Sequence, residues 1–359
     1  MGVSGKLKMK NSLIVIIIAL CAIQFSCKKQ KEMVIAAGGD LVVARGFDKE
    51  IEKNGDEHPF IHIRDHLRKA DLTFANLESV VADNAKLRSS DPNKINYNAP
   101  SSVMGALIKS GFKVFSIANN HVFDLGKEGV SEFRALLDKT DILYGGAGIN
   151  HKEASKPLTL KVKGFNVAFL FYNSTGGLNY CAGRKRAGYN CLPVNKKEKA
   201  LKILSDDLKK IEKADYKILS VHWGDNYKTE PTQEMIDIAH AAIDMGVDLI
   251  LGHSSHLFQG IEIYKNKPIL YDMGDIYLVK SGGWDTRSFL FNINVRNGMT
   301  ESIELFPTYI KNNQVLLAEG KTAEENINRF IDLSKKFNTE MRVENNRVII
   351  GIPQKNQKK

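Results

Sequence analysis

The sequence predicts a layered α/β fold, and three observations carry that expectation. With 359 residues, 43% of them hydrophobic and 8% aromatic, the chain can bury one large core and is too apolar to be mainly disordered. From Met33 onward, apolar runs of strand length alternate with longer stretches of helical periodicity, the order from which a largely parallel sheet is built. Five of those runs stop on a side chain able to ligate a metal or move a proton, at the point where open α/β sheets gather their ligands.

The first thirty residues stand apart. Lys6, Lys8 and Lys10 precede an apolar run over 13–25 that closes on Ser26-Cys27 and a basic stretch. This is the layout of a secretory signal, and the run is short for a spanning helix. Cys27, with small Ser26 before it, is the expected site of cleavage and acylation, giving an exported lipoprotein held on the cell envelope by a membrane lipid anchor. Gln24 and Phe25 depart from the usual acylation pattern, so plain secretion and an uncleaved anchor are the alternatives. The expected organisation is a signal segment 1–27, a basic tether 28–32, one domain 33–315, and a C-terminal helix with a basic tail 316–359. Of the net charge of +10, residues 1–32 carry +5 and the last five residues +3. The body is thus nearly neutral, and nucleic-acid binding is not expected.

In order along the body, 33–37 reads as a buried strand running into Gly38-Gly39-Asp40. Residues 61–70 have helical periodicity, 72–75 form a short strand followed by Asn76-Leu77-Glu78, and 83–100 is a polar loop containing Lys94. Ser101 is placed to cap a helix that Gly111 ends, and the strand 114–118 stops at Asn119-Asn120-His121. A helix over 129–139, the glycine turn 145–148 and strands near 158–162 and 167–172 follow. The segment 173–195 is an irregular insertion in which Cys181 and Cys191 can close a disulfide in an oxidising compartment, two free thiols being the alternative. A helix over 196–214 leads to the strand 216–221 and His222, and one over 232–245 leads to the strand 247–251 and His253-Ser254-Ser255-His256. The strand 267–271 ends near Gly274-Asp275, strand-like sequence continues to 310, and 322–337 is amphipathic.

Asp40, Glu78, Asn120-His121, His222 and His253/His256 therefore share one relative position on five strands. Each alone has an ordinary reading as a turn, loop or satisfied core residue. Together they point to a crevice of carboxylate, amide and imidazole donors, a set that suits Mn, Fe or Zn. One or two such ions would polarise an oxyanion and activate water, with His121 placed to protonate a leaving group.

These segments resemble the CapA family, the poly-γ-glutamate capsule-synthesis proteins related to calcineurin-like metallophosphoesterases. The matching stretches are Gly39-Asp40 with Arg45-Gly46, Asn76-Leu77-Glu78, Ala118-Asn119-Asn120-His121 with Asp124 and Gly126, Gly146-Ala147-Gly148, His222-Trp223-Gly224, Gly252-His253-Ser254-Ser255-His256 and Gly274-Asp275. The resemblance implies a four-layer αββα sandwich with Asp40, Glu78, Asn120, His222, His253 and His256 as metal ligands and His121 with Asp124 as the acid–base pair. It also implies a metal-dependent hydrolase acting on a phosphoester or a γ-glutamyl amide in capsule-polymer synthesis or export, alongside other capsule-synthesis proteins. The alternative is a non-catalytic assembly factor that binds the polyanion in the same cleft. Arg45, Lys94, Arg184 and Arg186 are the expected contacts to an anionic polymer or phosphorylated substrate. Two departures bear on the site: Val42 stands where phosphoesterases of this fold usually carry the His of Asp-x-His, and Ser254-Ser255 replace a more usual His-Pro.

Overall fold

The computed structural model describes residues 1–2, 30–87, 95–278 and 286–353, so Cys27 and Lys94 lie outside the described residues. The described residues from Lys31 onward form one compact unit. Among the described residues no helix is long and apolar enough to cross a membrane.

Two sheets build this unit. The larger runs in spatial order Arg342–Glu344, Arg347–Gly351, Met299–Lys311, Arg287–Arg296, Glu32–Leu41, Leu72–Leu77, Val114–Ser116 and Leu143–Gly145. Asp275–Tyr277 pairs in parallel with the end of Glu32–Leu41, and Gln314–Leu317 pairs with Met299–Lys311. The strands from Glu32–Leu41 to Leu143–Gly145 are mutually parallel, whereas the C-terminal strands join antiparallel. The smaller sheet has the order Ile261–Tyr264, Lys267–Leu270, Leu249–His253, Tyr216–His222, Phe165–Asn173 and Leu158–Val162, its four central strands parallel.

Side-chain alternation shows how the layers stack. Met33, Ile35 and Ala37 share a buried cluster with Phe169, Phe171, Ile218 and Leu251 of the other sheet, so the sheets pack face to face. Ala36 points the other way, into a core with Phe47, Leu67, Leu107 and Phe133 from the helices Phe47–Asn54, Arg64–Lys69, Met104–Ser110 and Gly126–Leu137. Leu170, Leu219 and Val221 face outward to Leu204, Ile238 and Ala242 of the helices Lys197–Lys210 and Gln233–Asp244. The result is the expected four-layer αββα sandwich. Helix boundaries follow local chemistry: the Thr232 hydroxyl accepts from Met235 N–H, and Gly111 closes its helix at φ 95°.

The segment 316–359 differs from the expected helix and tail. The helix spans Gly320–Ser334 and puts Ile327 and Phe330 into the core between the sheets. Beyond it, Arg342–Glu344 and Arg347–Gly351 form a hairpin that completes the edge of the larger sheet, and the boundary drawn at 315 cuts the strand Gln314–Leu317. The domain therefore continues through the described C-terminal residues. Ser101 also begins a short 3-10 turn rather than capping the helix Met104–Ser110.

Candidate metal centre

The parallel strands of both sheets end at one place, and their terminal side chains meet there. A Cβ on Gly39 would lie 1.9 Å from the carbonyl oxygen of Gly274, so only glycine admits that approach. The next residue, Asp40, donates its N–H to the same oxygen at 2.8 Å and stands in register with Asp275. Asp40 is completely buried, and the Asn76 amide donates to its Oδ1 at 2.7 Å. Asn119 donates to Asn76 Oδ1 and Leu77 O and accepts from the N–H groups of His121 and Val122, which fixes the turn presenting Asn120 and His121. Asn120 Oδ1 lies 2.8 Å from His222 Nε2.

The donors fall into two groups that share Asp40: Asp40 with His222 and His253, and Asp40 with His256 and Asp275. In the first, His222 Nδ1 and His253 Nδ1 are 3.0 Å apart and each is 3.8 Å from Asp40 Oδ1. The far nitrogen of His253 meets Ser220 Oγ at 3.0 Å, which orients the ring. In the second, His256 Nδ1 is 2.8 Å from Asp275 Oδ1 and 3.6 Å from Asp40 Oδ2. Glu78 lies between them, Oε1 3.6 Å from His222 Nε2 and Oε2 3.8 Å from His256 Nδ1.

The turn joining His253 to His256 is strained, with Ser254 at φ 122° and His256 at φ 59°. It is held by Ser254 N–H to Asp40 Oδ2 and Ser255 N–H to Asp272 Oδ2. Ser254 and Ser255 thus shape the turn through their backbone, and this departure from the family pattern removes none of the donors described above. Val42 packs with Ala44, Tyr97 and Leu278 in a small apolar cluster.

Burial raises the Asp40 carboxyl well above its ordinary range, with Glu78 adding to the effect, and burial likewise raises Glu78. Burial holds His222 well below its usual value and His253 at about 3. At His256 burial opposes the charge, but Asp275, Glu78 and Asp40 outweigh it and raise the imidazole. Among the described residues Glu78 Oε2 finds no hydrogen-bond partner, although it is buried. Neutral imidazoles beside crowded carboxylates, one oxygen of them unsatisfied, fit a divalent cation that would neutralise the acids and take the free lone pairs.

His121 stands at the rim. Its Nδ1 meets Asp124 Oδ2 at 2.7 Å, and Asp124 also accepts the N–H of Tyr97 at 2.8 Å. Nε2 faces Glu78 Oε1 at 3.9 Å. The Tyr97 ring packs on His121 with centroids 4.1 Å apart, and the exposed Arg45 guanidinium lies 5.2 Å from the Tyr97 centroid. The structure therefore gathers Asp40, Glu78, Asn120, His121, Asp124, His222, His253 and His256, with Arg45 at the edge. Cys181 and Cys191 are disulfide-bonded, Cα atoms 5.5 Å apart. Arg184 instead lines a groove of about 1070 Å³ with His151, Lys152, Lys156 and Lys210, which contains none of the cluster's side chains. Arg186 Nε donates to Cys181 O. Asn76, Asn119, Ser220, Asp272 and Asp275 are not among the expected site residues; Asn76, Asn119 and Asp275 lie inside the quoted motifs, which is the signal that marks them.

A family model described as bacterial capsule synthesis protein PGA_cap matches residues 34–279. The chain belongs to this family. Among its relatives, the capsule biosynthesis protein CapA of Bacillus anthracis is 26% identical over 79% of this chain and 69% of its own. The PGA biosynthesis protein CapA of Bacillus subtilis (strain 168) is 28% identical over 75% and 69% respectively. Of the solved structures, a hypothetical protein from Thermus thermophilus covers 78% of this chain and 100% of its own at TM-score 0.49 and 17% identity. A 5'-nucleotidase precursor from the same organism covers 84% of this chain and 58% of its own at TM-score 0.45 and 12% identity.

Proposed function

We propose that this PGA_cap protein is a metal-dependent hydrolase of the cell envelope, tethered through Cys27, that cleaves a phosphoester or γ-glutamyl amide bond during synthesis or export of an anionic capsule polymer. The observation that carries the reading is the set of buried Asp40, Glu78, His222, His253 and His256 with half-buried Asn120, and the His121–Asp124 pair at its rim. Divalent metal held by those donors would supply Lewis-acid polarisation and a water of lowered pKa. Asp124 accepts the Nδ1 proton of His121 and so turns Nε2 toward the cleft. From Nε2 the imidazolium delivers its proton to the departing oxygen or nitrogen as water adds to the phosphorus or carbonyl carbon. Tyr97, packed on the ring, keeps it in that orientation, and Arg45 offers positive charge to an anionic substrate at the mouth. The relatives named for capsule and PGA biosynthesis support the polymer as the substrate class.

The basic groove beside Arg184 supports a second reading, in which the chain holds the polyanion without cleaving it. The test is hydrolysis of phosphoester and γ-glutamyl amide model substrates by the full-length protein loaded with Mn, Fe or Zn, beside His121→Ala. Turnover by the loaded protein that collapses in the variant is expected. A loaded protein that cleaves neither class, yet binds poly-γ-glutamate in a salt-sensitive way, would favour the second reading.

A further inference from the structure

The first-strand histidine usual in phosphoesterases of this fold is absent here, and Val42 at that position is enclosed by Ala44, Tyr97 and Leu278. The geometry points to Asp275 as its replacement: a direct ligand of a second metal position that shares Asp40 with the first and has Glu78 Oε2 beside it. This rests on the metal-centred reading above and deepens it.

Three observations carry the assignment. Asp275 stands opposite Asp40 in a parallel pair locked by the close approach of Gly39 to Gly274, so the backbone delivers its carboxylate to the cluster. Asp40 divides its oxygens between the groups, Oδ1 toward Nδ1 of His222 and of His253 and Oδ2 toward Nδ1 of His256, and Glu78 Oε2 faces that same nitrogen of His256 while its Oε1 faces Nε2 of His222. For Asp40 that is the disposition of a bridging carboxylate. Finally, a carboxylate that merely orients a metal-bound histidine bonds the ring nitrogen facing away from the ion, as Ser220 does for His253. Asp275 instead meets Nδ1 of His256, the same nitrogen that faces Asp40 and Glu78. Asp275 Oδ1 and His256 Nδ1 therefore converge on one point, with Asp40 Oδ2 and Glu78 Oε2 around it.

The two positions differ in character. The first offers two imidazoles besides the shared Asp40, with Asn120 Oδ1 on the far side of the His222 ring; the second offers one imidazole and three carboxylates. The oxygen-rich second position favours a harder ion such as Mn²⁺, and the first a borderline ion such as Zn²⁺ or Fe²⁺.

The test is titration of chelator-stripped full-length protein with Mn²⁺, read by elemental analysis after dialysis and by electron paramagnetic resonance. The wild type is expected to bind about two ions per chain with an exchange-coupled spectrum. Asp275→Asn should bind about one, uncoupled, with affinity for the second reduced about 100-fold or more. His256→Asn should lose the same ion, and the double variant no more than either. Asp275→His keeps a ligand in place and should retain two ions while adding an imidazole nitrogen to the hyperfine pattern, which carries the test if Asp275→Asn does not fold. Two coupled ions in Asp275→Asn, or an unchanged nitrogen pattern in Asp275→His, would overturn the assignment. A wild type that binds a single ion overturns it while sparing the hydrolase reading; a wild type that binds none overturns both.

Discussion

The two donor groups around Asp40 are built differently. His222 and His253 close the long central strands Tyr216–His222 and Leu249–His253, in register with each other and buried in regular sheet. His256 and Asp275 sit on a strained turn and on a three-residue strand held by backbone contacts. The first group is carried by the fold's hydrogen-bond ladders, the second by local chemistry. The first is electrically neutral apart from the shared acids, whereas in the second a charged imidazole is surrounded by carboxylates.

If Asp40 joins the two groups, its loss should erase the difference between them. Asp40→Ala is expected to bind neither ion and to lose activity by on the order of 10³-fold or more, measured by elemental analysis beside turnover. Retention of one ion would show that the groups are independent. A change outside both groups separates holding from reacting. His121→Ala should keep the wild-type metal content while the rate falls about 10²- to 10³-fold, most for substrates with the poorer leaving group. Loss of metal in that variant would place His121 among the ligands instead.

The contrast also explains what the sequence discloses. Asp40, Asn120, His222 and His253 follow apolar runs long enough to read as buried strands, so their place at the crevice is legible. Asp275 is visible only as part of a Gly-Asp pair, because it opens its short strand ahead of Ile276 and Tyr277 instead of ending an apolar run, and it owes its position to the close approach of Gly274 to Gly39. The hairpin of Arg342–Glu344 and Arg347–Gly351 escapes notice for a similar reason: its outer strand is entirely exposed and charged at both ends. Its signal is the Asn345-Asn346 pair, both at positive φ, between the valines 343 and 348. Arg184 is expected at the cleft because the insertion borders it, but side-chain direction within an irregular loop is not encoded in periodicity.

Removing the ions should expose the electrostatic difference as a pH dependence. Without metal, Asp40 and Glu78 have values raised by burial, and Asp272 is pushed up to about 7 by the same cause. Groups raised in the folded state lend stability at low pH and withdraw it as pH climbs through their folded values, and the raised His256 acts in the same sense. The depressed His222 and His253 act oppositely, but only below their ordinary value of about 6.5. Above about pH 6.5 the depressed histidines add no slope, so chelated protein should lose melting temperature as pH rises through the folded values of the raised groups, Asp272 at about 7 among them. Metal-loaded protein, with Asp40 and Glu78 already deprotonated, should lose less, Asp272 alone keeping its slope. Parallel slopes with and without chelator would show that the acids are not the ions' ligands.

The smallest expected effect concerns the strained turn alone. Ser254 holds φ 122°, a conformation that costs a non-glycine residue about 1–3 kcal/mol, and its hydroxyl makes only a 3.4 Å contact with Gly224 O. Ser254→Gly releases that strain at an entropic cost of about 0.5–1 kcal/mol, so the ion-free protein should gain up to about 1 kcal/mol in urea denaturation. The same change lets the turn relax and loosens His256 but not His253, which is fixed by its strand and by Ser220. Affinity for the second ion should therefore fall several-fold while the first is unchanged, on the order of 1 kcal/mol of binding exchanged for stability. Equal weakening at both positions would mean that the turn supports the cluster as one unit, and that the two groups differ in construction but not in function.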